Sequence, residues 1–297
     1  MPRFSSILGT LLIILILLYM GPTLVQGIKE QYQDLLESKT KVGRIKIDNT
    51  IDDISFNQQQ IEKFFKNNAV KALLLEIDSP GGAAGSAQAL FNEIMQLKTE
   101  YKKPVVVLSY NLCTSAAYYV ACASDYIITS PSALIGGIGT YLEQIKLNKL
   151  AEHCYINYEI EKSGDYKAAS NWFTPLTAEQ KKMLQETTES CYKQFIHDVA
   201  QRRGLSLSTA HDWANGRIFT GNDALKLHLV DEIGSEYNAR QKIKQLALIE
   251  RDIEWIKPIY PSWWSQILSS NETLSRCCSS MALFAQSFTH PQAQLRC

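Results

Sequence analysis

The sequence has no excess of either charge: 30 Lys and Arg stand against 30 Asp and Glu in 297 residues. Without a net field the chain has no general attraction for nucleic acid or acidic partners, so any basic patch must be local, and no nucleic-acid partner is expected. Seven cysteines are present, but no Cys-x-x-Cys pair and no His cluster at zinc-finger spacing, so no metal site is declared. Cys113, Cys122 and Cys191 fall in apolar-patterned segments and are expected to pack as small hydrophobes. No repeat of about 20 to 50 residues occurs, which excludes solenoids and propellers. A phosphate-binding loop is also missing, because Gly85 is followed by Ser86 and no Gly-Lys-Ser/Thr appears.

With 45% apolar and 20% charged residues, the chain reads as one ordinary domain with appendages. Residues 7–25 carry no charge and have the length needed to cross a hydrocarbon core of about 30 Å. A cleaved leader would have a shorter apolar region and a small-x-small site, which Tyr19, Met20 and Pro22 do not provide. A retained single-pass anchor is therefore expected, and Arg3 ahead of it places the N-terminus inside and the remainder outside. The expected parts are an anchor over 1–28, a polar helical stalk over 29–41, a catalytic domain over 42–250, and a Ser-rich tail over 251–297, flexible or at the membrane interface.

Between stalk and tail, strand-like and helix-like stretches alternate, as in an α/β domain. Residues 42–47 alternate as a strand, 56–67 form a helix, and 72–77 are a nearly continuous apolar run of the kind a doubly covered parallel strand shows. Ala87, Leu90, Phe91, Ile94 and Leu97 then recur at helical steps. A second unit follows, with strands at 105–108 and 126–129 around a helix at 115–122. Thr177 and Gln180 form a capping box that opens a long helix reaching Gly204, with Leu184, Cys191, Phe195 and Val199 as its expected buried stripe. A short helix over 222–227 precedes Leu229.

Two turns in this pattern could carry chemistry. Gly81-Gly82, directly after a buried strand, lets backbone approach a ligand and turn N–H groups toward it, although a tight βα turn needs the same residues. Ser115, set among small residues after another buried strand, is placed as an exposed nucleophile or as a helix N-cap. A serine nucleophile needs a base. None of His153, His197, His211, His228 and His290 sits in a small-residue turn, which leaves a lysine, and Lys162 and Lys167 flank a turn.

Six blocks in order carry a family resemblance: Asp78-Ser79-Pro80-Gly81-Gly82, Thr114-Ser115-Ala116-Ala117-Tyr118-Tyr119, Gly136-Gly137-Ile138-Gly139, Lys162-Ser163-Gly164-Asp165-Tyr166-Lys167, Gly216-Arg217-Ile218-Phe219-Thr220-Gly221, and Leu229-Val230-Asp231-Glu232-Ile233-Gly234. Together they resemble the signal peptide peptidase A family. The resemblance implies a Clp-protease/crotonase-like α/β fold of repeated ββα units behind an N-terminal transmembrane helix. It implies a Ser-Lys dyad with Ser115 as nucleophile and Lys167 as general base, and an oxyanion hole from Gly81 or Gly82 with Ala116. It further implies no cofactor or metal, signal peptides or other unfolded peptides as substrates, and a homo-oligomeric ring whose neighbours share Ser and Lys. The implied place is a bacterial-type inner or plasma membrane, with the catalytic domain extracytoplasmic. Ala116-Ala117 departs from the family's Gly-Gly after the nucleophile, which admits a second reading, a membrane-tethered scaffold without turnover. An acyl-CoA enzyme on the shared fold fits neither the exported location nor the paired Ser and Lys blocks.

Overall fold

The computed structural model describes residues 39–258 continuously and a few positions between 14 and 29. The anchor, most of the stalk and nearly all of the tail lie outside the described residues. Among the described residues no helix is long and apolar enough to cross a membrane.

The core is a six-stranded sheet whose neighbours are all parallel, in the order β8-β5-β3-β2-β1-β9. Its strands are β1 (Thr40–Asp48), β2 (Val70–Asp78), β3 (Val105–Ser109), β5 (Tyr126–Thr129), β8 (Glu232–Ile233) and β9 (Ile253–Ile256). Parallel strands need crossovers, and the sequence supplies them as helices: α1 (Ser55–Lys66) between β1 and β2, α2 (Ala84–Tyr101) between β2 and β3, and α3 (Ala116–Ala121) between β3 and β5. β3 and residues 72–75 of β2 read as apolar runs because both their faces are covered. Ile45, Leu73, Leu75 and Val107 pack on one face with Ile61 and Phe65 of α1 and with Leu90 and Ile94 of α2. On the other face, Leu74, Val106, Leu108 and Ile128 meet Ala239 and Ile243 of α8 (Glu236–Leu246). Each fully buried Leu or Ile here contributes about 1.5–3 kcal/mol of transfer free energy.

A second sheet of three short strands, β4 (Leu112–Thr114), β6 (Leu134–Gly136) and β7 (Ile218–Thr220), runs in the order β4-β6-β7. Three residues are too few to show a period, so these strands leave no mark in the sequence pattern. β9 also extends the sheet past the expected domain end at 250. The compact unit ends at Ile256, and of the unit that follows, Lys257–Cys297, only the first two residues are described.

Four further helices are α4 (Asn148–His153), α5 (Ala178–Arg203), α6 (Ala210–Trp213) and α7 (Gly221–Lys226). The capping box on α5 forms as expected, with Thr177 Oγ1 accepting from the Gln180 N–H and Gln180 Oε1 accepting from the Thr177 N–H. The expected stripe does not hold along its length. Phe195 and Val199 are buried, whereas Leu184 is half-buried and Cys191 is exposed, so only the C-terminal half of α5 packs on this chain's core. Cys113 and Cys122 are buried, as their patterning suggested.

The Leu229-Val230-Asp231 block holds the fold together. Tyr118 donates its hydroxyl to the Leu229 carbonyl at 2.7 Å, and Asp231 accepts from the Ile127 N–H at 2.7 Å. The same carboxylate takes both Arg203 terminal nitrogens at 2.9 Å, a bidentate pair that ties α5 to the sheet.

Candidate active site

β2 ends at Asp78, and the next residue, Ser79, is fully buried. The Ser79 N–H donates to the Leu112 carbonyl and its carbonyl accepts from the Thr114 N–H, so the ends of β2 and β4 are zipped together. The Ser79 hydroxyl donates to the Asn49 carbonyl and accepts from the Gly81 N–H at 3.2 Å. One glycine of the pair therefore has its N–H already engaged.

Gly81 adopts φ +109°, and a Cβ on it would lie 2.7 Å from the Ser115 Cβ and 2.9 Å from the Ala116 nitrogen. Gly82 is wedged differently: a Cβ there would come within 2.5 Å of the Ile51 carbonyl oxygen, because Ile51 bridges the turn by accepting from Ala83 and donating to Gly81. Both glycines are required by close approach as well as by backbone freedom.

Ser115 stands at the N-cap of α3, but its side chain makes no capping hydrogen bond. Its backbone lies at φ 55° and ψ −127°, a strained conformation for a residue with a Cβ that costs on the order of 1–3 kcal/mol. It is held there from both sides, by its N–H to the Gly136 carbonyl at 2.7 Å and by its carbonyl accepting from Tyr119 at 3.0 Å. The hydroxyl is thus directed by the backbone and left unspent on helix capping. Among the described residues the N–H groups of Gly82 and Ala116 have no acceptor. Both residues border the same cleft as Ser115.

That cleft has a volume of about 520 Å³. One wall is aromatic: Tyr119, one turn past Ser115, stacks on Phe195 of α5 with centroids 4.6 Å apart and meets Phe91 of α2 at 5.1 Å. The Tyr119 hydroxyl donates to the buried Asp198 carboxylate, which also accepts from Gln194. Burial first, and the Asp198 carboxylate second, push the Tyr119 phenol far up, so it remains a hydrogen-bond donor across the ordinary pH range. The lining also includes Asp52, Ala84, Thr140, Tyr141 and Cys191. Tyr119, Phe195 and Cys191 were not singled out as site residues, although Tyr119 sits four positions after Ser115, one helical turn on. His197 lies on the exposed side of α5, with Nδ1 3.4 Å from Asp198 Oδ1, and does not border the cleft.

The structure brings Ser115, Gly81, Gly82 and Ala116 together, but not Lys167. Among the described residues no lysine lines the cleft. Lys167 is exposed in a turn whose N–H donates to the Gly164 carbonyl, and Lys162 Nζ donates to the Asp165 carbonyl at 3.3 Å. The same Asp165 carbonyl accepts from Gln180 Nε2 at 2.7 Å, which moors this turn to the start of α5, where Gln180 is buried but Leu184 is only half-buried. In the same stretch of chain Tyr155, Ile156, Tyr166 and Trp172 are exposed, as is Tyr141 at the cleft.

Comparison with known proteins follows the same residues. A relative from Methanocaldococcus jannaschii, named as a candidate protease, is 37% identical over 182 residues, which are 61% of this chain and 58% of the relative. One from Synechocystis, also named as a candidate protease, is 33% identical over 72% of this chain and 77% of its own length. One from Enterococcus faecium, named as a candidate signal peptide peptidase, is 30% identical over 63% of this chain and 54% of itself. The chain thus spans a little over half the length of the first and third of these. The family model described as peptidase family S49 matches residues 98–250, a stretch that contains Ser115, the second sheet and all of α5. The chain belongs to peptidase family S49.

Proposed function

We propose that this chain is a serine endopeptidase in which Ser115 attacks the scissile carbonyl and Lys167 of a second copy of the chain takes its proton. The carrying observation is the Ser115 turn: a hydroxyl without a capping role, in a strained backbone, beside the acceptor-free N–H groups of Gly82 and Ala116. Such a pair of donors suits the oxyanion of a tetrahedral intermediate, where loss of one donor costs about 2.7–4 kcal/mol. The proton moves from Ser115 Oγ to a neutral lysine Nζ and from there to the leaving amine, and water then cleaves the acyl-enzyme. The absence of a lysine from the cleft among the described residues and the exposed Tyr155, Ile156, Tyr166 and Trp172 in the stretch that carries Lys167 support a base supplied by a neighbour in a homo-oligomeric ring. The Clp/crotonase-like arrangement, a single-pass anchor over residues 7–25 and an extracytoplasmic catalytic domain belong to the same reading. Signal peptides left after export, or other unfolded peptides, are its substrates, supported by the name of the Enterococcus relative.

The rival reading, a tethered scaffold without turnover, is favoured by one observation, the missing lysine in the cleft of a single chain. Mixing separates the two. Ser115→Ala and Lys167→Ala chains, each inactive on casein or a signal peptide, recover hydrolysis when co-assembled, and only the Lys167→Ala chain retains the serine that a fluorophosphonate acylates. Full activity in Ser115→Ala would sink the peptidase reading, and no hydrolysis by the parent chain would favour the scaffold.

A further inference from the structure

In a parallel sheet the beginnings of all strands lie at one edge and their ends at the other. The Ser115 cleft is built on the ends, after β2 closes at Asp78. The beginnings are served by the α1–β2, α2–β3 and α8–β9 connections, and β1 enters the same edge at Thr40, whose N–H donates to the Asp252 carbonyl. The uncharged run of residues 7–25 therefore feeds into the fold through this edge.

The edge is rich in lysine, and most of that charge is already spent. Lys66 pairs with Glu62, Lys98 with Asp125 and Lys244 with Asp252, each in or beside the last turn of a helix, where a cation also meets the dipole. Lys103 is buried, and its ammonium donates to the carbonyls of Phe64, Phe65 and Asn67. What remains forms a groove of about 470 Å³ lined by Lys71, Lys102 and Lys103 with Leu246 and Leu248, and no Asp or Glu borders it. Lys71 Nζ spends one donor on the Asn68 carbonyl, and among the described residues neither Lys71 nor Lys102 has an acidic partner within 4 Å. Leu248 is 90% exposed at φ 53°, held outward on the turn where the Ile249 N–H donates to the Lys244 carbonyl. Glu100, whose carboxylate pairs with the Tyr101 hydroxyl beside the groove, and Glu250, farther along that turn, each add one negative charge.

We propose that this groove docks on an anionic lipid surface, with Lys71 and Lys102 meeting headgroup phosphates and Leu248 entering the interfacial layer. A cationic pair around a protruding aliphatic residue is the combination that holds a peripheral surface on negatively charged lipid, the charge giving attraction and the side chain partition. The proposal rests on the tethered reading only for the direction this edge faces. Its consequence is orientation: β2 has nine residues, so the Ser115 cleft stands roughly 26 Å farther from the bilayer at about 3.3 Å per residue. Peptides then reach Ser115 after leaving the membrane.

The test uses the full chain in vesicles of phosphatidylcholine alone or with phosphatidylglycerol, read by amide hydrogen exchange. Residues 101–103 and 246–249 exchange several-fold more slowly in the anionic vesicles, and Lys71→Glu with Lys102→Glu abolishes the difference. Lys71→Gln with Lys102→Gln weakens it, and Leu248→Ser reduces it without changing the charge of the groove. Equal exchange in both lipids, or slowing that survives the double Glu change in folded protein, overturns the proposal. Hydrolysis of a soluble peptide by the same preparations reports separately: slowed exchange without hydrolysis removes the peptidase reading and leaves the lipid edge standing.

Discussion

Gly81 presses against Ser115 so closely that a single added carbon would sit 2.7 Å from the serine Cβ. The neighbours are the Ser115 stem and the backbone of Thr114 and Ala116, none of which can swing away. Gly81→Ala therefore has to displace the turn that carries Ser115 as well as strain its own φ of +109°. Peptide hydrolysis is expected to fall at least as far as in Ser115→Ala, with a stability loss of about 1–3 kcal/mol in denaturant titration. Wild-type turnover in this variant would mean that the Gly81 contact does not position Ser115.

Cys122 gives the fold an alkaline weakness. Burial pushes its thiol up to about 12, and Cys113 is shifted in the same direction by the same cause. An unfolded thiol titrates near about 8.5, so the stabilising difference is complete below that pH and is lost as pH rises toward the folded value. Each thiol costs about 1.4 kcal/mol of stability per pH unit in that window. Guanidinium midpoints of reduced protein should fall between pH 9 and 10, and Cys122→Ala should flatten the slope. An unchanged slope in the variant would exclude Cys122 as a source.

Cys191 offers a handle on the cleft. It is exposed, in contrast to Cys113 and Cys122, and borders the same cavity as Ser115 and Tyr119. A bulky maleimide on this thiol is expected to fill the cavity and cut hydrolysis by more than about tenfold, the scale of a lost 1.4 kcal/mol contact. Cys191→Ser removes the sensitivity, while Cys154→Ser, at the other exposed thiol among the described residues, leaves it. Retained activity in fully labelled protein would place substrate elsewhere.

Much of the fold was legible because its signals are local. β2 and β3 announce double burial by their composition, and α2 declares its packed face through Ala87, Leu90, Phe91, Ile94 and Leu97, all of them buried. The Thr177 capping box marked the start of α5 to the residue. β4, β6 and β7 were silent because three residues cannot display a period, and β9 was obscured by the prolines and tryptophans that follow it. Cys191 was misread because the helical stripe on α5 is continuous in sequence, while the core it would cover begins only at Phe195, and Cys191 borders the open cleft instead.

The site divides along the same line. The sequence alone determined that a small-residue turn after a buried strand would present Ser115 and that Gly81-Gly82 would lie at another strand end, because both depend on residues a few positions apart. Tertiary structure decided which groups meet: Ser79 takes the Gly81 N–H and leaves that of Gly82 without an acceptor, Phe195 comes from α5 to stack on Tyr119, and no lysine enters the cleft. The stacking of Phe195 on Tyr119 and the zipping of Ser79 to Leu112 and Thr114 join residues separated by tens of positions, and chain order carries no record of such distances until the sheet and its crossovers fix them. Ser115 was therefore readable as a position, and its surroundings only as a fold.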